Sequence, residues 1–390
     1  MKILYSLPHP ADTLQSEQAG HTVRARAILT ALEKLGNEIV MVEAAADQQT
    51  QKAVSTYRGL VKKFIPRPLA MRMRDAARIA YGRRYAARLL AAIEQHQPDV
   101  ILETHIAFSE AGKIAAEQTG LPLILDDVAP SWEEEQQYGV GLAQRARDIH
   151  RAVTGQARLL VAVSDVIRRL LIEEGQPAGK IITVHNGIND GYFNAGVDGR
   201  VWRDHYGLAD DTVVIGFVGS FQAYHRVDLL VEAFAQIKTD HATHLLLVGE
   251  GKYTPAVKAQ VQQLGLTDRV TFTGRIPYTD VAAYTAACDI AVMPATNTYG
   301  NPMKVYEYMA MAKPVVAPDQ ETITELATHQ ENAYLFPTED VPALAATLQT
   351  LIDDEGLRQR LGQQAAQFAQ EHTWDKHAVL LHEAMHKLLV

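Results

Sequence analysis

Short apolar runs alternate with stretches of helical period along the whole chain, the pattern of parallel sheets covered by helices on both faces. In the first half the runs are Lys2 to Leu7, Glu38 to Val42, Asp99 to His105, Leu121 to Asp126, Leu159 to Ser164 and Ile181 to His185. The rhythm restarts with Val213 to Val218, His244 to Val248, Arg269 to Thr273, Asp289 to Pro294, Pro314 to Ala317 and Tyr334 to Phe336. Between the two series lies Asn186-Gly-Ile-Asn-Asp-Gly-Tyr-Phe-Asn-Ala-Gly196, dense in turn residues. The pattern predicts an α/β protein of two domains, residues 1–190 and 191–372, with a final helix over 373–390 returning to pack on the first.

Composition narrows the class. With 390 residues, 47% of them hydrophobic, the chain can bury one core per domain. The one cysteine, Cys288, sits in an apolar run and reads as core packing, which excludes a disulfide framework and a cysteine-rich metal site and points to the reducing cytoplasm. Met1 to Leu7 is too short an apolar run for a signal peptide, and no run approaches the ~18 apolar residues of a membrane span. The net charge of −9 is unevenly spread: from Lys52 to Arg88 three Lys and eight Arg face the single acid Asp75, leaving 26 basic and 45 acidic residues elsewhere. Leu60, Val61, Phe64, Ile65, Leu69, Met71, Met73, Ile79 and Tyr81 interleave with these cations, as in basic amphipathic helices lying on anionic bilayers. A solvated Arg-rich helical face is the plain alternative. Nucleic acid is not expected, because no stacking-aromatic pattern accompanies the charge.

The strongest chemical signal is Tyr299-Gly-Asn-Pro-Met-Lys-Val-Tyr-Glu-Tyr-Met-Ala-Met-Ala-Lys-Pro-Val-Val-Ala-Pro318. It follows the apolar strand Asp289 to Pro294 and places Met303, Lys304 and Glu307 in the opening turn of a helix, where backbone N–H groups are free to meet phosphate. Lys304 and Glu307, three apart, share one face. A lysine can hold a diphosphate, and a carboxylate can accept hydrogen bonds from both hydroxyls of a ribose. An ordinary ion pair along the helix is the competing reading. Two Rossmann-like domains facing each other across a cleft would bind such a ligand at the strand carboxyl ends.

Leu159-Val-Ala-Val-Ser164, Val184-His-Asn-Gly-Ile188, Gly216-Phe-Val-Gly-Ser-Phe221, Val227 to Phe234, Leu245-Leu-Leu-Val-Gly-Glu-Gly251, Val270-Thr-Phe-Thr-Gly-Arg275 and the Tyr299 to Pro318 stretch occur in an order and spacing that resembles the retaining GT-B glycosyltransferases of family 4. The resemblance runs almost end to end. It implies that Glu307 is the second carboxylate of the E-x7-E pattern, on the nucleotide ribose, and that Lys304 meets the diphosphate. Gly274, Arg275 and Ile276 fall on the turn that reads the base. Gly249 and Gly251 form a glycine turn after a central strand, for which a plain tight turn is an equal reading. Gly20, opening the first helix, resembles the glycine turn that lets diphosphate and acceptor approach the backbone.

Three positions depart from the family pattern. Tyr299 stands where the first Glu usually contacts the transferred sugar. The usual Arg and Lys of the diphosphate clamp are Ser220 and His225 here, which leaves Arg226 and Lys304 as the cations. Val128 stands where many members have a His facing the sugar, with Asp126, Asp127 and His105 as alternatives; Asp127 and His105 are taken as the catalytic candidates. Ala129-Pro-Ser-Trp-Glu-Glu-Glu135 resembles a subgroup with Asn-Ala-Pro and paired Glu at this point.

With no Asp-x-Asp in the chain, transfer is expected to need neither a metal nor another cofactor, and His9, His21 and His150 show no metal-ligand spacing. The resemblance implies a membrane-associated glycosyltransferase, peripheral on the inner face, moving a hexose-type sugar from a nucleoside diphosphate donor to a sugar or lipid-linked acceptor. A nucleotide-sugar epimerase on the same fold and a catalytically inactive nucleotide-sugar-binding subunit remain alternatives, separated by turnover.

Overall fold

The computed structural model describes residues 1–9, 13–14, 20–43, 66–127, 129–130 and 139–389. Val128, Ser131–Glu135 and the first part of the basic segment, with Lys52, Lys62 and Lys63, lie outside the described residues. The chain forms two compact units, Met1–His185 with Asp375–Val390, and Asn186–Trp374.

In the first unit six parallel strands run β1 (Lys2–Leu7), β2 (Glu38–Glu43), β3 (Val100–Thr104), β4 (Leu123–Asp127), β5 (Leu159–Ala162) and β6 (Ile181–Thr183) along the chain, and stand in the order β2-β1-β3-β4-β5-β6. Helices α1 (Gly20–Lys34), α2 (Arg67–His96), α3 (Ala111–Thr119), α4 (Ala143–Gln156) and α5 (Asp165–Glu173) connect them. β3 and β4 are buried at every position. Parallel strands covered on both faces lose the apolar-polar alternation and become continuous apolar runs, which is why they could be read directly. α5 starts where Ser164 accepts a hydrogen bond from Ile167 N at 3.1 Å.

The second unit holds β7 (Val213–Val218), β8 (Thr243–Val248), β9 (Val270–Gly274), β10 (Ile290–Val292), β11 (Val315–Asp319) and β12 (Tyr334–Pro337), all parallel, in the order β12-β11-β10-β7-β8-β9. Its helices are α6 (Arg200–His205), α7 (Val227–Gln236), α8 (Thr254–Gln263), α9 (Val281–Ala286), α10 (Met303–Ala310), α11 (Glu321–Thr324), α12 (Val341–Asp353) and α13 (Glu355–Gln370). Val213, Ile215 and Phe217 of β7 pack with α7, α8 and α12, while Val214 and Val218 pack on the opposite face with α9 and α10. Fully burying each of these side chains contributes roughly 1.5–3 kcal/mol. Cys288 fits against Gly216 in this core; burial pushes its thiol up to about 12, and it is a packing residue.

A last helix, α14 (Trp374–His386), belongs with the first unit from Asp375 onward. Lys34 pairs with Asp375 at 2.9 Å, and His377 Nδ1 lies 2.9 Å from the carbonyl of His185. All twelve expected strands are present, as two six-stranded parallel sheets. No helix among the described residues is long and apolar enough to cross a membrane.

Candidate active site

In the second sheet the strand order turns back between β7 and β10, and in open parallel sheets ligands bind outside the carboxyl ends of strands at such a point. The chain leaving β7 passes through Gly219 and Ser220, and α10 follows β10. α10 begins after Pro302 with no side-chain cap on its first turn, in contrast to α12 and α13, which are capped by Asp340 and Asp354. Lys304, the second residue of α10, is in its opening turn as the sequence implied, whereas Glu307, the fifth, falls just beyond that turn because the helix starts only at Met303. They do not close an ion pair with each other. Lys304 Nζ instead lies 2.7 Å from Nε2 of His225, and Glu307 has no side-chain partner among the described residues. Burial lowers Lys304 to about 8 against the opposing charge of Glu307, and burial raises Glu307 to about 7 against the charge of Lys304.

Two further loops reach the same end of the sheet. Gly249, with φ of +112°, follows β8 and sits where any Cβ would strike the carbonyl of Gly219. Its N–H donates to the Gly274 carbonyl at 3.0 Å, joining the loops after β8 and β9. A Cβ on Gly251 would come within 2.6 Å of the Phe221 carbonyl, so this glycine turn is a packing requirement whatever it touches. Arg275 is exposed and lies 3.3 Å from Glu250, while Ile276 packs on the core beside α9 and α10. Met303 is the first residue of α10 and is partly buried. Ser220 is exposed, and its carbonyl accepts from His225. Arg226 is not brought to Lys304: its guanidinium is held by Asp228 at 3.0 Å and Glu339 at 2.9 Å.

Asn186 lies where the segment Val184–Ile188 meets the turn-rich stretch that follows it. Its N–H and side chain both bond to Asn301, whose Nδ2 donates to Tyr306, fixing the loop that enters α10. Pairings this far apart in sequence leave no local signal.

The first unit places Gly20 at the start of α1 and brings His105 and Asp127 to the carboxyl ends of β3 and β4. Successive strand residues face opposite sides. Asp126 accordingly receives Arg24 of α1 in a buried two-point salt bridge, at 2.9 and 3.0 Å, and is a structural pair. Asp127, 1% exposed, meets α4, where His150 Nε2 lies 3.9 Å from its carboxylate and 3.0 Å from Glu174. His150 Nδ1 is 3.1 Å from Nε2 of His105. Burial raises Asp127 to about 6 and lowers His105 to about 3. Burial disfavours a charged His150, yet Glu174 and Asp127 hold its pKa above the ordinary value. Nδ1 of His105 and Oδ1 of Asp127 have no hydrogen-bond partner among the described residues.

The family described as Glycosyl transferases group 1 matches residues 198–368, and that described as Glycosyltransferase Family 4 matches residues 19–192. The chain is a family 4 glycosyltransferase. It is 26% identical over 336 residues to the D-inositol 3-phosphate glycosyltransferase of Jonesia denitrificans, covering 82% of this chain and 76% of that one. It is 27% identical over 233 residues to the N-acetyl-alpha-D-glucosaminyl L-malate synthase of Bacillus anthracis, covering 59% and 60% of the two. Among solved structures, Anabaena HepE in complex with UDP is similar with a TM-score of 0.76 at 20% identity, over 99% of this chain and 100% of that one. Sucrose-phosphate synthase from Thermosynechococcus elongatus is similar with a TM-score of 0.77 at 19% identity, over 100% and 99%. These likenesses show the GT-B fold.

Within this glycosyltransferase, Tyr299 and His225, two of the positions that depart from the family pattern, are built into the second unit. Tyr299 is buried, 7% exposed, and His225, where a clamp cation is usual, is buried at 5%. The sequence alone showed His225 only as a missing charge; its contact with Lys304 spans 79 positions and belongs to the tertiary fold.

Proposed function

We propose that this enzyme is a retaining, metal-independent glycosyltransferase that takes a hexose-type sugar from a nucleoside diphosphate donor held by the second unit. The observation that carries this is the open Lys304/Glu307 pair: a lysine turned to a neutral imidazole and a carboxylate with no described partner, at an uncapped helix start beside the strand-order reversal. Lys304 and the free N–H groups of α10 take the diphosphate, and Glu307 takes the ribose hydroxyls. As the sugar C1–O bond to the diphosphate breaks, the charge growing on the leaving oxygen is met by that ammonium and helix N-terminus, and the acceptor oxygen bonds C1 on the same face.

The first unit is the acceptor side of this reading, with Asp127 and His105 as its catalytic candidates. A lipid-linked acceptor suits the basic helix α2. There Arg67, Arg72, Arg83, Arg84 and Arg88 are exposed beside Leu69 and Met73. Asp75 is turned inward onto Arg74 and the backbone N–H groups of Gly141 and Leu142, so it does not offset that charge at the surface. This face is the proposed contact with the anionic inner face of the membrane.

The test is calorimetric titration of UDP, GDP and ADP and of the matching nucleosides. Glu307→Ala is expected to weaken both classes of ligand, since each charge-assisted hydrogen bond lost is worth roughly 1.5–3 kcal/mol. Lys304→Ala is expected to weaken only the diphosphates. Unchanged diphosphate affinity in both folded variants would remove this reading.

A further inference from the structure

The Lys304 side chain is held far more closely than a phosphate-binding lysine on a flexible stem requires. Its Nζ lies 2.7 Å from His225 Nε2, and His225 Nδ1 lies 2.5 Å from the carbonyl of Ser220. A carbonyl only accepts, so Nδ1 carries the hydrogen and Nε2 presents its lone pair to the ammonium. The ring is buried, edge-on to Phe217 at 5.5 Å and to Tyr224 at 4.4 Å. The face of Phe217 lies 5.4 Å from Nζ. Opposite, Gly219 leaves room for the lysine stem: a Cβ there would stand 2.9 Å from Lys304 Cε. Burial, then the charge of Lys304, drives His225 down to about 2, so it stays neutral and adds no charge of its own.

We propose that His225 is a positioning residue for the leaving diphosphate: pinned through Nδ1–H to the Ser220 carbonyl, it takes one hydrogen of the Lys304 ammonium on Nε2 and leaves the other two for the donor phosphates. The proposal rests on the donor-site reading above. It makes the loop after β7 a holder of someone else's charge: one cation, Lys304, is oriented by a neutral ring. The two arrangements differ in a measurable way. A second cation adds attraction by itself, whereas a positioning ring acts only while Lys304 is present.

The experiment measures by calorimetry the affinity of wild type, His225→Ala, His225→Gln, Lys304→Ala and the His225→Ala/Lys304→Ala double variant. The ligands are whichever of UDP, GDP and ADP binds wild type most tightly, and its parent nucleoside; melting temperatures check folding. His225→Ala is expected to weaken the diphosphate about tenfold and the nucleoside less than twofold. His225→Gln is expected to restore most of the loss, because its Oε1 comes near the place of Nε2 and accepts from Lys304. On the Lys304→Ala background, His225→Ala is expected to add less than twofold. Equal losses for nucleoside and diphosphate, additive losses in the double variant, or no recovery in a folded His225→Gln would each show a structural ring and overturn the proposal. Wild-type diphosphate affinity in Lys304→Ala would instead remove the donor-site reading, and the proposal with it.

Discussion

Lys304 and Glu307 have been moved toward each other in acidity, one down to about 8 and the other up to about 7, chiefly by burial. The sign of each consequence is fixed. A diphosphate favours the charged lysine, so affinity falls as pH rises through about 8 and the proton leaves. A ribose needs the carboxylate as acceptor, so affinity falls as pH drops through about 7. Calorimetry of the bound diphosphate across pH 6–9 is expected to give a maximum between these limits. Lys304→Arg should flatten the alkaline limb and Glu307→Gln the acidic one; a flat profile in wild type would contradict the assignment. Both residues were legible in the sequence because helix spacing and a strand before it are local facts. His225, Asn301 and the Arg24–Asp126 pair were not, since each depends on a partner tens of positions away.

The turn after β8 supports the site as an element, by holding the loop after β7 in place. Gly249 has φ of +112° and faces the Gly219 carbonyl, the residue against which Lys304 lies. Gly265, with φ of +68° and no atom within 4 Å of the place a Cβ would take, separates backbone strain from crowding. Gly265→Ala is expected to cost about 1 kcal/mol, read as a fall of about 2–4 °C in melting temperature, with donor affinity unchanged. Gly249→Ala is expected to lower the melting temperature further and to weaken the diphosphate several-fold through the displaced Gly219 loop. Equal binding by the two variants would separate the turn from the site. At this scale the strands were readable as buried parallel runs, but their ends were not. β10 spans only Ile290–Val292; at its entry Asp289 donates its backbone N–H to the Val214 carbonyl at 2.7 Å, and its carboxylate accepts from Val214 N–H and Arg203. A carboxylate so used looks in sequence like one more strand residue.

For the molecule as a whole, the second unit is one uninterrupted stretch, Asn186–Trp374, with cores on both faces of its sheet and the whole proposed donor site. Produced alone, it is expected to melt cooperatively and to bind the diphosphate within threefold of the full chain. A non-cooperative fragment, or one that does not bind, would show that the first unit completes it. The first unit has no such continuity. Ala378, Leu381 and Met385 of α14 are buried, and the helix reaches Lys34, Asn37 and His185 of that unit. Its last side chains therefore come from Asp375–Val390, after the whole second unit in chain order. At ~5–20 residues per second, the ribosome needs roughly 10–40 s to make the intervening stretch. Throughout that time the earlier-made unit waits with an apolar face uncovered, so the interval in which it is open to chaperones, proteases or wrong partners is set by translation speed.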